Sequence, residues 1–491
     1  MSQVEIINTN IQRYGILIKE LSLCLIDEDD VRENNKIKIS FYNNYFPIEN
    51  PIDIRYVLYI KDRYLISDKK YQIIRKHFNE NLPSLNKIKK LRKQLNDNHH
   101  IFHYNFVSNN LAKYVDIKET IKKKLFEYLS SLPEQELNNL GALREDKRKL
   151  GIKLYADGTN VGKNIFLVNF CYTLIQSKDC KSPFGNITMM VAEVKEQYGA
   201  LEEPLGIIMD HIKNFNNYSF KEINFVVDFF FGADLKFLLE VNGLKAANSN
   251  HPCLWCTVHV SELHLLNKSM LSEINARSKD TQNEIVLHNQ TNKRKRADLG
   301  YKFNSLLSEI LIVEMIVDIL HQRFRIGNKL IELILVADLK VMDVYDGETL
   351  INVTHINLTT WYYEFLRKKC RIGAKLIKWN KDNKGKITRD FNGSELIKIF
   401  RDMNFKKYFP GMINLEKKQM LRQKFYWIDR NISWNFLNHE QIKKATEDWN
   451  RLFLELYSDD EFTPYMHIFC NHLHEFSKLY VYISRFSEQG L

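Results

Sequence analysis

Between residues 150 and 245 the hydrophobic pattern changes period, and no other feature of the chain constrains its fold so closely. GIKLYAD alternates, with Ile152, Leu154 and Ala156 on one side and Lys153, Tyr155 and Asp157 on the other. That two-residue repeat belongs to a strand with one face on a core. NIFLVNFCYTLI and NITMMVAEV read as two more strands, the second entered through a hairpin turn at Gly185-Asn186. Helical spacing of Leu201, Leu205, Ile208 and Ile212 predicts a helix over roughly 198–215. INFVVDFFF then makes a fourth strand, so continuously apolar that it suits a parallel strand covered on both faces.

The order β-β-β-α-β is that of a ribonuclease H-like mixed sheet, so the expected class is α/β. In such a sheet one carboxylate projects from the first strand and a second from the end of the fourth, and together with a later acid they hold two divalent metals for phosphoryl transfer. Asp157 and Asp234, the latter in FFFGADLKFLLEV, occupy those places. Carboxylate oxygens suit Mg²⁺ or Mn²⁺. Each residue alone also has a plainer reading, Asp157 as the turn residue of an Asp-Gly pair and Asp234 as a helix N-cap. Asp228 is a rival second acid, but it sits in mid-strand among apolar neighbours.

Around this core the pattern divides the chain into a mixed and helical region at 1–149, the core at 150–245, a helical insertion at 246–325 and a helical region at 326–491. In the first, KISFYNNYF and IRYVLYIKDRYLI suggest short strands. A helical stretch over 115–150 places Ile117, Ile121, Leu125 and Leu129 on one face. Later, LLSEILIVEMIVDILHQRFRIGNKLIELIL keeps helical spacing over some thirty residues, and more helices are expected at 360–378, 394–402, 440–457 and 467–485.

A net charge of +11 points to a polyanionic partner. The basic residues cluster at Lys87, Lys89, Lys90, Arg92 and Lys93, at Lys122 to Lys124, and at Lys293 to Arg296. No apolar run is long enough to span a membrane, and the N-terminus has no secretory pattern. Seven irregularly spaced cysteines make no disulfide framework, which leaves free thiols available to metals in a reducing compartment. Cys253-x-x-Cys256 is half of a tetrahedral zinc site. His259 completes it locally as Cys-x-x-Cys-x-x-His, and His251 lies close by. His467 and His472 of PYMHIFCNH complete it from a distance, provided a helix end brings two histidines five residues apart to one ion.

With these residues assembled, the stretch 150–491 resembles the catalytic core of the V(D)J recombinase and its Transib-type transposase relatives. DGTNVGK resembles the segment bearing the first catalytic Asp, which implies that role for Asp157. GADLKFLLEVNGLKAANSNHPCLWC resembles the segment in which the second Asp precedes the zinc cysteines, which carries over to Asp234, Cys253 and Cys256. VDILHQRFRIGNKL is similar to a helix of the family's zinc-bearing insertion, ITRDFNGSELIKIF to a later segment, and HIFCNHLHEFSKL to the paired zinc histidines, matching His467 and His472. The resemblance therefore implies one structural zinc shared by these four residues, a catalytic Mg²⁺ or Mn²⁺ site at Asp157 and Asp234, double-stranded DNA as partner with a homodimer as an option, a nuclear setting, and DNA strand nicking and transfer.

The family's third acid follows the second histidine by about twenty residues. Here the corresponding segment is RFSEQGL, ending at Leu491, and Glu488 matches a non-catalytic glutamate. The expectation is thus a truncated, inactive relative. Two other expectations stand beside it: a non-catalytic zinc-stabilised DNA-binding protein, and a helical interaction protein whose Cys-x-x-Cys is incidental.

Overall fold

Helical packing appears first where strands were expected. The structure, a computed structural model, describes residues 54–63, 66–77, 82–98, 101–106, 111–137, 140, 148–161, 165–182, 185–292, 298–333, 366, 370, 377–379, 385–387, 390–404, 407, 414–434, 436–480 and 483–486. IRYVLYIKDR folds as α1 (Ile54–Arg63). Val57, Leu58 and Lys61, three and four residues apart, bury together, and that spacing outweighs the β preference of the individual residues. KISFYNNYF lies outside the described residues. With α2 (Asp68–His77) and α3 (Leu85–Asn98), α1 encloses a small core of Val57, Leu58, Ile66, Tyr71 and Ile88. Lys61 and Lys89 both reach the Asp68 carboxylate at 2.8 Å, pinning the three helices together. The chain divides into two compact units, 1–101 and 102–491.

The second unit is built on a mixed sheet. Its elements run β1 (Ile101–Asn105), β2 (Leu111–Val115), α4 (Ile117–Ser130), β3 (Lys149–Val161), β4 (Ile165–Leu174), β5 (Ile187–Ala192), α5 (Tyr198–Ile212), β6 (Asn217–Phe220) and β7 (Ile223–Ala233), and β8 (Met315–Val317) joins later. The strand order is β1-β2-β5-β4-β3-β7-β6, with β8 also on β7. β3 pairs antiparallel with β4 from Ile152↔Leu174 to Val161↔Ile165, and parallel with β7 from Lys149↔Val226 to Tyr155↔Gly232. Because β4 is antiparallel to both β3 and β5, β5 points the same way as β3, β7 and β8. Four strands therefore run toward one edge of the sheet.

The expected β-β-β-α-β succession is present as β3-β4-β5-α5-β7, with β6 added as a hairpin partner of β7. Two details differ. Gly185 closes a turn onto Ser182 at the end of a connection running from 175 to 186, so no two-residue hairpin forms. β7 alternates over its first half, with Phe225 and Val227 buried and Val226 40% exposed, and is continuously buried only toward its end.

α4 lies where its apolar face predicts. Ile117, Ile121, Leu125 and Leu129 are each at most 1% exposed, and Asp116 caps the helix by accepting the Glu119 N–H at 3.0 Å. The helix stops at Ser130, and after Pro133 one further helical turn follows over Glu134–Leu137; most of the rest of the helical stretch expected to 150 lies outside the described residues. Leu125→Ala is expected to destabilise this unit by about 2–5 kcal/mol, the range for emptying a fully buried leucine site. A lowered urea midpoint with an unchanged slope checks it.

Beyond the sheet come α6 (Leu235–Val241) and α7 (Lys279–Thr291). Most of 246–278 is irregular, so the insertion is less helical than its composition suggests. The thirty-residue helix expected after Leu306 is also broken. A short 3-10 turn forms at Ile312–Glu314, Met315–Val317 instead pairs with Phe231–Ala233, and among the described residues only α8 (Ile319–Leu333) is α-helical. Asp318 decides the boundary. Its buried carboxylate accepts the N–H groups of Leu320 at 3.1 Å and His321 at 2.9 Å, the first orphan donors of α8.

A hairpin of β9 (Ile377–Trp379) and β10 (Gly385–Ile387) overlaps the end of the helix expected at 360–378, most of which lies outside the described residues. α9 (Gly393–Asp402), α10 (Leu415–Ser433) and α11 (His439–Leu456) follow, and the first and third match expectation. The buried Arg323 guanidinium donates to both oxygens of Asp429 at 2.8 Å, joining α8 to α10. The helix expected at 467–485 is two, α12 (Pro464–Asn471) and α13 (Leu473–Leu479), with the break at His472. Among the described residues no helix is long and apolar enough to cross a membrane.

Candidate functional site

The break at His472 gives the second histidine its position. On one continuous helix His467 and His472 would point well apart, but the irregular turn swings His472 back until the two rings lie 5.0 Å apart. Facing them is the HPCLWC loop. The Cys253 sulfur is 3.4 Å from His472 Nε2, and the Cys256 sulfur is 3.3 Å from His467 Nε2. All four side chains are fully buried, and their ligand atoms lie within 4.8 Å of one another. A tetrahedral zinc, with Zn–S near 2.3 Å and Zn–N near 2.0–2.1 Å, places sulfur and nitrogen roughly 3.5 Å apart. The donor set and its spacing suit such a metal, and the cluster can hold one.

The surroundings orient the ligands. His467 Nδ1–H donates to the Leu263 carbonyl at 3.0 Å, and His472 Nδ1–H to Glu475 Oε2 at 2.9 Å. Glu475 also accepts the Ser269 hydroxyl and, at 3.1 Å, the Met270 N–H. With Nδ1 engaged, each ring turns its Nε2 lone pair toward the thiols, the tautomer a metal needs. Arg277, itself buried, donates to the carbonyls of Cys253, Cys256, Leu299 and His251 and so shapes the cysteine loop. Burial opposes ionisation of Cys253, yet the Cys256 thiol and the imidazoles of His472 and His467 hold it well below the usual cysteine value. Burial and the neighbouring Cys253 push Cys256 up.

The local alternative does not form. His259 uses Nδ1 on Ser261 at 2.8 Å, His251 uses Nδ1 on the Thr257 carbonyl at 3.1 Å, and neither belongs to the cluster.

A second constellation lies on the sheet edge where β5, β7 and β8 end and β3 runs on to Val161. Tyr155 pairs with Gly232, so Asp157 and Asp234 each stand two residues further along neighbouring parallel strands. Asp234 does cap α6, accepting the Phe237 N–H at 2.7 Å, so its plainer reading holds alongside its place at the strand end. Burial, then the charges of Glu196 and Asp234, raise the Asp157 carboxyl above its usual value, with His321 acting in the opposite direction. Asp228 pairs opposite Gly151, well back from this edge, and lies 3.8 Å from Lys149. Glu488 lies outside the described residues.

Reading the sequence missed two members of this corner. Glu196 follows β5, reaches over Gly158 and is held by Lys236 at 2.6 Å. A Cβ on Gly158 would lie 2.0 Å from Glu196 Oε1, so any side chain there would have to displace the Glu196 carboxylate. His321 donates Nδ1–H to buried Asp318 at 2.6 Å. The available signal was positional. An acid follows each of three parallel strands closely, as Glu196, Asp234 and Asp318, and Asp157 stands at the matching level of β3. Compared with known protein families and with curated proteins, the chain matches no family model and no curated sequence.

Proposed function

We propose that this chain is a transposase- or recombinase-derived DNA-processing protein, with a ribonuclease H-like core and a structural zinc. One observation carries the reading: Asp157 on β3 and Asp234, just past the end of β7, fall at matching levels of two neighbouring parallel strands, at the edge where β5, β7 and β8 end and β3 runs on to Val161. The order β5-β4-β3-β7-β8, three strands antiparallel in succession and two more parallel to the first, supports the same reading. Asp157 and Asp234 would hold Mg²⁺ or Mn²⁺, and Glu196 brings a third carboxylate to the corner. Such a metal supplies charge neutralisation at a phosphate and a more acidic bound water. The chain's own residues position these groups: Lys236 holds Glu196, and Asp318 holds the His321 ring. Mn²⁺-dependent nicking of supercoiled plasmid, lost on Asp157→Ala or Asp234→Ala, is the test.

The substrate reading has separate support in the three-helix unit. Residues 54–98 contain twelve lysines and arginines against four acids, a net +8 of the chain's +11. Ile88 faces the core of this unit, while Lys87, Lys90 and Lys93 recur every three residues along an exposed side of α3, spaced to follow a phosphate backbone. Replacing all three by Gln is expected to weaken binding to random duplex DNA and to reduce the slope of log K against log salt by about 2–3. An unchanged slope in a fluorescence-polarisation titration rejects that surface.

The same concentration of charge favours a second reading, a non-catalytic zinc-stabilised DNA-binding protein. Tight duplex binding with no nicking in Mg²⁺ or Mn²⁺ selects it. With either reading we propose a nuclear setting, as the resemblance implies.

A further inference from the structure

The metal cluster and the acidic corner were read as separate features, yet one side chain joins them. Tyr465 stands at the start of α12, two residues before His467. Its hydroxyl accepts the N–H of Leu235 at 3.0 Å. Leu235 opens α6, directly after Asp234, and its N–H is one of the first four donors that the helix cannot satisfy internally. Asp234 takes the Phe237 N–H of the same turn. Two hydrogen bonds therefore fix the first turn of α6: one comes from the acid that caps it, and the other from a residue beside a metal-type ligand.

These links close a circuit. From Asp234 the chain runs through α6 to Cys253 and Cys256. The cluster passes from there to His467, and α12 carries Tyr465 back to Leu235. Tyr465 also forms a wall of a cavity of about 300 Å³ shared with Arg325, Lys329 and Thr463, so the link borders open space. Burial, and next the charge of Asp234, push the Tyr465 phenol further above its usual value.

We propose that Tyr465 is a positioning residue through which the metal centre fixes the backbone at Asp234. Metal occupancy then governs how firmly the second acid of the corner is held. The functional consequence rests on the metal-dependent reading of Asp234; the mechanical link does not.

The test is amide hydrogen exchange on the full zinc-loaded chain, read at Leu235 by mass spectrometry with electron-transfer fragmentation. Tyr465→Phe keeps the ring and removes the acceptor. It is expected to speed exchange at Leu235 roughly fivefold, the share of one net hydrogen bond, with zinc content unchanged. Stripping the zinc should speed the same amide in the wild-type chain and do so less in Tyr465→Phe, where the link is already cut. Should the stripped chain unfold as a whole, partial zinc loading of both chains, checked by elemental analysis, repeats the comparison. A Leu235 amide indifferent to Tyr465→Phe, or equal acceleration by metal loss in both chains, overturns the proposal. Coupled exchange in a chain that never nicks DNA supports the link and rejects the reaction. Nicking with uncoupled exchange supports the reaction and rejects the link.

Discussion

One zinc ion per chain is expected in the purified protein, and its removal by a chelator is expected to lower the thermal midpoint by roughly 10 °C. The four ligand side chains are fully buried, so an empty cluster leaves two thiols and the Nε2 atoms of two imidazoles away from water, facing one another in place of the ion. Apparent binding energies of structural zinc sites are about 10–16 kcal/mol in small peptides. A part of that, on the order of 5 kcal/mol, is enough for the shift, because each kcal/mol moves the midpoint of a large domain by about 2 °C. Cys253→Ala and His467→Ala should reproduce the loss of zinc and of stability, whereas His259→Ala should change neither. Elemental analysis and a melting curve on each variant decide the matter. Zinc-free protein with an unaltered melt would reduce the cluster to four buried side chains.

The second large effect concerns the acidic corner. Asp157→Ala and Asp234→Ala are each expected to reduce Mn²⁺-dependent nicking about a thousandfold. Losing a metal removes several kcal/mol of charge stabilisation, and each 1.4 kcal/mol is tenfold in rate. Zinc content should stay at one in both variants, and the Asp157→Ala melt should match the wild type. Asp234→Ala should melt slightly lower, because it also loses the cap on Phe237. Asp228→Asn is the control. That residue is near Lys149 and away from the strand ends, so its nicking rate should match the wild type. Equal rates in all variants would assign any observed nicking to a contaminant.

What could be read from the sequence depended on the range of the forces involved. The strand-strand-strand-helix-strand succession was legible because alternation and helical spacing are local, and the face of α4 was visible for the same reason. The four-ligand cluster was reached through resemblance. Local spacing left His259 as good a partner for the cysteines as His467 and His472, and only tertiary packing brings His467 to Cys256. The failures arise where tertiary contacts override local pattern. Met315–Val317 shares the helical spacing of its neighbours, but β7 offers an open edge and buried Asp318 restarts the helix. Residues 54–63 look like a strand by residue type and are a helix by burial. Glu196 lay unnoticed because its significance depends on β5 running parallel to β3, which no single segment reveals.

The cluster also sets a timetable for the chain's biosynthesis. Cys256 and His467 are separated by 211 residues, so at about 5–20 residues per second the cysteine pair waits roughly 10–40 seconds on the ribosome before its histidine partners are made. During that interval the two thiols are unprotected and open to oxidation or capture by another metal. The strands β3 to β7 and α5 are already synthesised by then. The sheet can assemble early, while the clasp between the cysteine loop and α12 can close only near the end. A nascent chain stalled before His467 should therefore present the sheet without its clasp.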